Sequence, residues 1–473
     1  MSEPKRLHPI TTVINFFKYM KEFIAPFIII FLFGGKGSGM DFWQVIFPAV
    51  FILLSLFNGI LSWLRFTYRV EEGELRIESG LFVRKKRYIP FERIQSLDFS
   101  EGILQRPFGL VTVKVETAGS SGLNNAEAVL TAIKKQDAMA IQEILTSVKK
   151  GQADTYAPVQ EQDTLYTMQP LQLLLLASTS GGAGVVISAS LAFILQFDEL
   201  IPYERVFKEL QGFISTGLMF VSVVIFLLFL LAWLIALVGT MIKYAGFTVK
   251  KVEEDLVISR GLLEKRQLTI PLNRIQGILI SENIIRQPIG YCSVYLETAG
   301  GSLEKNSSKT LLLPMIKKKD VAPLLSPFLH DYCFSPEINR APKRALKRYL
   351  FRGLLLPVLI AVPAIIFFRP WGYLSLILIL LATVWAYLKY KDAGWNIHQQ
   401  QLTLTYRGLV KNTFFMRKNK IQSLTLTKSY FQEKKALGSI HATVTSGVGL
   451  SGGEVVDMEE QDSLAIYSWY KYS

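Results

Sequence analysis

One six-residue motif occurs three times in this chain: Glu92-Arg93-Ile94-Gln95-Ser96-Leu97, then Asn273-Arg274-Ile275-Gln276-Gly277-Ile278, then Asn419-Lys420-Ile421-Gln422-Ser423-Leu424. Each copy lies in a polar block that follows a pair of apolar segments. The first two blocks align without a gap, residues 75–119 against 256–300, with 19 of 45 positions identical. Shared positions include Gly80/Gly261, Pro107/Pro288, Gly109/Gly290 and the run Glu116-Thr117-Ala118-Gly119/Glu297-Thr298-Ala299-Gly300. The third copy aligns only with small insertions and deletions. Gly408, Gly438 and Val444-Thr445-Ser446-Gly447 hold the corresponding places there, Ala436 stands for Pro107/Pro288, and Val444 or Thr445 stands for the glutamate. Duplication on this scale means one structural unit used repeatedly. The expected unit is an apolar hairpin plus a soluble domain.

Half of the 473 residues are hydrophobic (50%) and the mean hydropathy is +0.30, too apolar for a soluble multidomain chain, while 19% charged residues are too many for a bare helix bundle. Charge-free apolar runs at 42–64, 171–197, 212–242 and 370–388 approach or exceed the roughly 20 residues that cross a bilayer. Segments 23–33 and 353–368 are shorter, and the latter carries Pro357 and Pro363, but each precedes a longer run across a short loop. Pairing them gives six spans. The expected organisation is a hairpin in 1–64, a domain in 65–150, a linker in 151–169, a hairpin in 170–242, a domain in 243–334, a basic linker in 335–352, a hairpin in 353–388 and a domain in 389–473. No small-residue cleavage site follows the first apolar stretch, so the chain is expected to insert through its own helices.

Lysine and arginine are sparse in the hairpin loops and dense at the other flanks, where Lys343, Arg344, Lys347, Arg348 and Arg352 form an acid-free run. The positive-inside rule places the N-terminus and all three soluble blocks in the cytoplasm of a multi-pass cell-membrane protein. Much of the +14 net charge is then expected to face anionic headgroups, not nucleic acid, for which no motif is present. The two cysteines, Cys292 and Cys333, lack CxxC spacing and read as free thiols.

Within the first block, 66–70, 74–79, 83–90, 94–99, 111–117 and 128–133 show β-rich composition or period-two alternation and are separated by turn residues such as Glu72-Gly73 and Gly80. From Asp137, an expected N-cap, Met139, Ile141, Ile144, Leu145 and Val148 fall on one helical face. The second block repeats this plan, with Pro323 and Pro327 weakening its closing helix, and the third ends in an aromatic-rich helix after Asp462. The fold class is therefore a mixed membrane protein of three repeats. Each pairs a transmembrane helical hairpin with a pleckstrin-homology-like antiparallel β-sandwich or barrel closed by a C-terminal helix.

The order strand-Gly-Leu, basic strand, Pro, Arg-Ile-Gln-Ser, Pro-x-Gly and Glu-Thr-Ala-Gly after paired spans resembles the bacterial pleckstrin-homology membrane proteins of the YdbS/YdbT type. The resemblance implies assembly with a shorter YdbS-like protein carrying one unit, and a role in envelope stress or resistance to membrane-active peptides. Phosphoinositide-binding domains of this fold put cations around the first strand-to-strand loop. Here that loop holds Glu71-Glu72-Gly73, Lys250-Lys251-Val252-Glu253-Glu254-Asp255 and His398-Gln399-Gln400-Gln401, which does not support such a pocket.

Two clusters are candidates for interaction or lipid contact. Arg93, Arg274 and Lys420 supply cations beside the amides Gln95, Gln276 and Gln422; alternatively the isoleucines are core and their neighbours satisfy turn backbone. Arg84, Lys85, Lys86 and Arg87 attract anionic membrane, worth about 1 kcal/mol per cation, or protect a solvated edge strand. The run Ala177-Ser178-Thr179-Ser180-Gly181-Gly182-Ala183-Gly184 suits close helix packing, with a broken segment lining a polar cavity as the sharper alternative. The four histidines share no ligand spacing, GxSxG, HExxH and Walker sequences are absent, and the four longer runs hold no ionisable residue. No catalytic, metal or cofactor residue is expected. The resulting expectation is a non-enzymatic scaffold forming homo- or hetero-assemblies, with membrane lipids and the shorter relative as partners. The alternative is lipid binding or lipid handling.

Overall fold

The computed structural model describes residues 3–20, 40–80, 83–117, 127–150, 163–180, 218–298, 309–369, 371–447 and 449–471. The expected span 23–33, most of the first two hairpin loops and Gly181 to Gly184 lie outside the described residues. The chain divides into two compact units, Met1–Ser120 with Ala126–Ile270, and Pro271–Ser473 with Ser121–Asn125. That boundary falls inside the second sequence block.

The first unit begins with β1 (Lys5–Arg6), a helix α1 over residues 10–20, and the apolar helix α2 (Met40–Leu64). Gly59 lets α1 and α2 approach, since a Cβ there would lie 3.1 Å from the Thr12 carbonyl oxygen. Strands β2 (Thr67–Glu71), β3 (Glu74–Ser79) and β4 (Lys85–Pro90) follow, then β5 (Ile94–Glu101), β6 (Leu110–Thr117), β7 (Ala128–Lys134) and helix α3 (Lys135–Lys150). The β2–β3 hairpin turns on Glu72 (φ 53°) and Gly73 (φ 75°), the left-handed pair that matches strand twist. Alternation then buries Leu75 and Ile77 of β3 against Leu97, Val113, Val115 and Leu130, while Ile141 and Leu145 of α3 cover the same core. Asp137 sits in the first turn of α3, not at its cap, and its carboxylate accepts from Lys5 Nζ at 2.5 Å. Met139 is 55% exposed, because Ala138 takes the inward position beside Ile141.

The remainder of this unit is β8 (Asp163–Thr167), α4 (Pro170–Ser178), α5 (Leu218–Tyr244), β9 (Thr248–Val252), β10 (Asp255–Arg260) and β11 (Lys265–Pro271). The described part of the small-residue run packs against α5: Ser180 Oγ lies 3.3 Å from Thr240 Oγ1, and Trp233 Nε1 donates to the Ser178 carbonyl. One sheet has the order β1-β2-β3-β4, and the other has β7-β6-β5-β11-β10-β9-β8.

The second unit contains β12 (Ile275–Glu282), β13 (Tyr291–Thr298), β14 (Lys309–Lys317), helix α6 (Lys318–Leu325), β15 (Asn339–Arg340), the paired helices α7 (Leu346–Phe367) and α8 (Ser375–Asp392), then β16 (Gly394–His398), β17 (Gln401–Arg407), β18 (Lys411–Arg417), β19 (Ile421–Thr427), β20 (Leu437–Ser446), β21 (Gly449–Glu459) and helix α9 (Glu460–Lys471). Helix α7 runs unbroken past Pro357 and Pro363, and Gly353 brings it close to Ala386 of α8. The sheets are β14-β13-β12-β18-β17-β16-β15 and β19-β20-β21. Among the described residues three helical segments are long and apolar enough to cross a membrane: Phe226–Tyr244, Lys343–Phe367 and Gly372–Asp392.

Two expectations change. No sheet among the described residues closes into a barrel: the outer edge of β5 is taken by β11, and that of β12 by β18, so backbone groups that closure would satisfy are satisfied by the following block. The stretches read as linkers also supply strands, β8 and β15. Like β1, each lies ahead of apolar helices and pairs with the strand that follows them.

Candidate interaction surface at the strand joints

The Arg-Ile-Gln motif has one geometry at all three sites. A 3-10 turn (Phe91–Arg93, Leu272–Arg274, Lys418–Lys420) ends on the cation, and the isoleucine starts the next strand. Ile94, Ile275 and Ile421 are 1%, 3% and 7% exposed, and all belong to the core. The strand register then slips by one residue at Gln95, Gln276 and Gln422, a bulge at the same place each time. Gln276 Nε2 donates to the Arg274 carbonyl at 3.1 Å, whereas Gln422 is exposed. Arg93 is exposed, Arg274 is half-buried, and Lys420 Nζ donates to the Asn273 carbonyl at 3.1 Å. The third motif's cation thus touches the second motif's turn.

The joints themselves are antiparallel. In the first unit β5 pairs with β11 through Phe99–Gln267, Ser100–Arg266 and Glu101–Lys265. In the second, β12 pairs with β18 from Gly277–Met416 to Glu282–Lys411. Phe414 and Phe415 of β18 are each 1% exposed, and a Cβ on Gly277 would come within 2.6 Å of the Phe414 ring. The glycine is therefore what admits the aromatic strand.

Polar groups link the second and third blocks at this joint and hold the third block together. Glu297, wholly buried on β13, accepts from Ser451 Oγ at 2.6 Å and Ser446 Oγ at 3.2 Å, with Lys309 at 3.7 Å. Burial pushes its carboxyl above the ordinary carboxylate range, against the opposing effect of those hydroxyls and of Lys309. Arg407, itself buried, pairs with Asp392 at the end of α8 and donates to Gln287 Oε1 at 2.6 Å. Asp457, also wholly buried, receives Arg348 at 2.8 Å, Arg352, and Gln432 at 2.8 Å. Arg344 pairs with Glu459. Three arginines of the acid-free basic run are thus held by carboxylates of β21.

The run Arg84-Lys85-Lys86-Arg87 is exposed throughout. Arg84 and Lys86 both reach Glu78, at 2.7 and 3.8 Å, while Arg87 points the other way to the Glu127 carbonyl. Strand alternation splits the cluster as geometry requires. In the first loop Arg76 pairs with Glu71, Glu72 and Glu74, so the acids of the turn gather around one internal cation. Cys292 is buried and its thiol is pushed up to about 12 by burial, while Cys333 is half-buried; both are free.

The structure also revises the alignment of the third copy. Thr443, not Val444 or Thr445, pairs with Ser423 as Glu297 pairs with Gly277 and Glu116 with Ser96. Ala436 (φ 49°) stands at the place of Gly109 and Gly290, not of the prolines: its carbonyl accepts from Glu460 N as theirs accept from Lys135 N and Lys318 N. Sequence reasoning passed over Asp457, Ser446 and Ser451 as site residues, and only the insertion-free glutamate of the first two copies signalled Glu297.

A family model described as the bacterial PH domain matches residues 24–149, 192–327 and 354–473. The UPF0699 transmembrane protein YdbT of Bacillus subtilis (strain 168) is 39% identical over 493 aligned residues, covering 100% of this chain and 99% of that protein. The shorter UPF0699 transmembrane protein YdbS of the same organism is 42% identical over 53 residues, 11% of this chain and 33% of that protein. With three successive matches along its length, the chain belongs to the bacterial PH-domain family of transmembrane proteins.

Proposed function

We propose that this chain is a non-enzymatic membrane scaffold whose three repeats, each a helical hairpin and a PH-like domain, present cytoplasmic strand edges for assembly with further family units. The observation that carries this reading is the shared sheet. Twice, the first three strands of one block extend the sheet formed by the last three strands of the block before it. A unit that completes its hydrogen bonding on a neighbour is built for association, since main-chain pairing gives affinity and alternate side chains give specificity. The shorter YdbS relative is a natural partner type, and a role in envelope stress or resistance to membrane-active peptides is consistent with a membrane-bound assembly of this kind. Contact with lipid is supported by the β10–β11 loop, where Leu262 N bonds the Ile242 carbonyl near the end of α5 and Leu262 and Leu263 are 55% and 46% exposed.

Affinity purification of the full-length chain from native membranes tests the reading. It predicts a co-purified protein of fixed stoichiometry that survives high salt, because buried interfaces are little screened; a chain that carries no protein partner at low or high salt would sink it. Orientation is tested separately: a cytoplasm-dependent reporter should work at Gly122, Ser302 or after Ser473 and fail near Gly37 or Glu204.

Lipid handling is the second reading. It is favoured by a cavity of about 750 Å³ in the second unit, with Ile280, Phe334 and Phe415 in its wall and Lys317, Lys319 and Lys411 beside them. A stoichiometric lipid in native mass spectrometry, lost in Lys317→Glu/Lys319→Glu, would favour it.

A further inference from the structure

Among the described residues, two strands of the kinds that meet at the joints have no strand partner on the joint side, β4 in the first unit and β19 in the second. They are unlike each other. At β4, the places of Leu268 and Phe414, which are 3% and 1% exposed in the strands that cover a joint, hold exposed Arg87, preceded by exposed Lys85 and Lys86. Cations on an edge strand oppose pairing with another chain. By contrast β19 reads Ile421-Gln422-Ser423-Leu424-Thr425-Leu426-Thr427, without a charge. Its counterpart β12 is buried almost throughout: Gln276 is 9% exposed, Ile278 0%, Leu279 3% and Ile280 5%. At the same places in β19, Gln422 and Thr425 are exposed and Leu424 and Leu426 half-buried. What β12 has and β19 lacks is a covering strand.

We propose that the outer edge of β19 is a docking site for the third domain strand, the β18-type strand, of a family unit carried on a different chain. The two internal joints supply the template: antiparallel pairing that runs to the strand end, from just after the bulge in the second joint and from Phe99 in the first. They also argue against the β4 edge of a second copy of this chain as the occupant. Seven residues beyond the motif isoleucine the covered strands carry Glu101 and Glu282, placed opposite Lys265 and Lys411 of the covering strands. The third copy has Lys428 at that position, already paired with Glu460. In the same register a second copy would bring Arg84 against Lys428 and lay Lys85, Lys86 and Arg87 along an edge that offers them no acidic partner. Like charges directly opposite destabilise a strand pair, and such repulsion is how interfaces reject wrong partners. The fitting occupant has an apolar residue where β4 has Arg87 and an acidic or neutral residue where β4 has Arg84. This assignment rests on the scaffold reading above and adds its strand, direction and charge rule.

The test places the photo-crosslinker p-benzoylphenylalanine at Gln422 of the full-length chain in membranes of its own source cell, and maps the adduct by peptide mass spectrometry. The expected adduct joins position 422 to the third domain strand of another family protein, and Thr425→Lys, an exposed and fold-neutral change, lowers its yield at least tenfold. The crosslinker at Lys85 should give no protein adduct. An adduct to residues 84–90 of a second copy overturns the choice of occupant. An adduct to any other surface, no adduct, or an undiminished yield in Thr425→Lys overturns the docking site. If purified Thr425→Lys chain keeps a stoichiometric protein partner, the scaffold reading stands and this inference falls; if wild-type chain carries none, both fall.

Discussion

The two strand joints share topology and differ in extent. The β12–β18 pairing runs from Gly277 to Glu282, whereas β5–β11 is confined to Phe99, Ser100 and Glu101. Two residues account for the difference. At the place of Leu279 in β12, β5 carries Asp98, buried to 3%, and a carboxylate cannot replace an apolar side chain against Leu268 without a desolvation cost. At the place of Gly277, β5 carries Ser96, whose Cβ occupies the space that Gly277 yields to Phe414. The comparison teaches that duplication preserves the joint, while individual side chains set how far it zips.

Removing the aromatic that fills the longer joint should have the largest effect. Phe414→Ala is expected to cost about 3–5 kcal/mol and to abolish slow amide exchange along β12. Leu268→Ala, its counterpart, should leave β5 exchange nearly unchanged because pairing already stops at Phe99. Equal loss of protection in both strands would break the comparison. Installing the first joint's residue in the second, Gly277→Ser, should cost roughly 1–3 kcal/mol through overpacking, shortening the protected part of β12 toward that of β5. A fully protected β12 in this variant would show that Phe414 does not depend on the missing Cβ.

The polar lock gives the second joint a pH signature. Because burial raises the Glu297 pKa in the folded state, the folded chain holds that proton more tightly than the unfolded chain. The contribution to stability is therefore fully present below the unfolded value, about 4.3, and is lost as pH rises through the folded value. Wild-type chain should lose melting temperature relative to Glu297→Gln between pH 5 and pH 8. A difference that stays constant over that range would remove Glu297 from the account. The smallest expected effect is a gain: Ala436 is held at φ 49°, so Ala436→Gly should stabilise the third domain by about 1 kcal/mol, as left-handed backbone is costly with a Cβ. A loss of stability there would contradict its equivalence to Gly109 and Gly290.

Much of the local structure was legible in the chain. Leu75/Ile77 alternation placed β3, the turn Glu72-Gly73 placed its hairpin, and the recurring isoleucine marked the start of a core strand three times. Less of the candidate surface was. The basic run at residues 343–352 reads as a lipid-facing flank, yet Arg344, Arg348 and Arg352 are committed to Glu459 and Asp457, acids over a hundred residues away whose approach no local pattern announces. Asp137 has the composition of a cap and lies within the first turn of its helix, where Lys5 reaches it.

Sequence alone determined that the chain enters a membrane, that it is built by duplication, and that each block contains β-hairpins and a closing helix. These follow from hydropathy, internal identity and short-range periodicity, which act over a few residues or are counted directly. Only the tertiary structure decided which strand lies beside which. Period two specifies the faces of a strand and is silent about its edges, so the same Arg-Ile-Gln strand is covered in β12 and open in β19, and a motif that looks uniform in sequence becomes interior at one place and available surface at another.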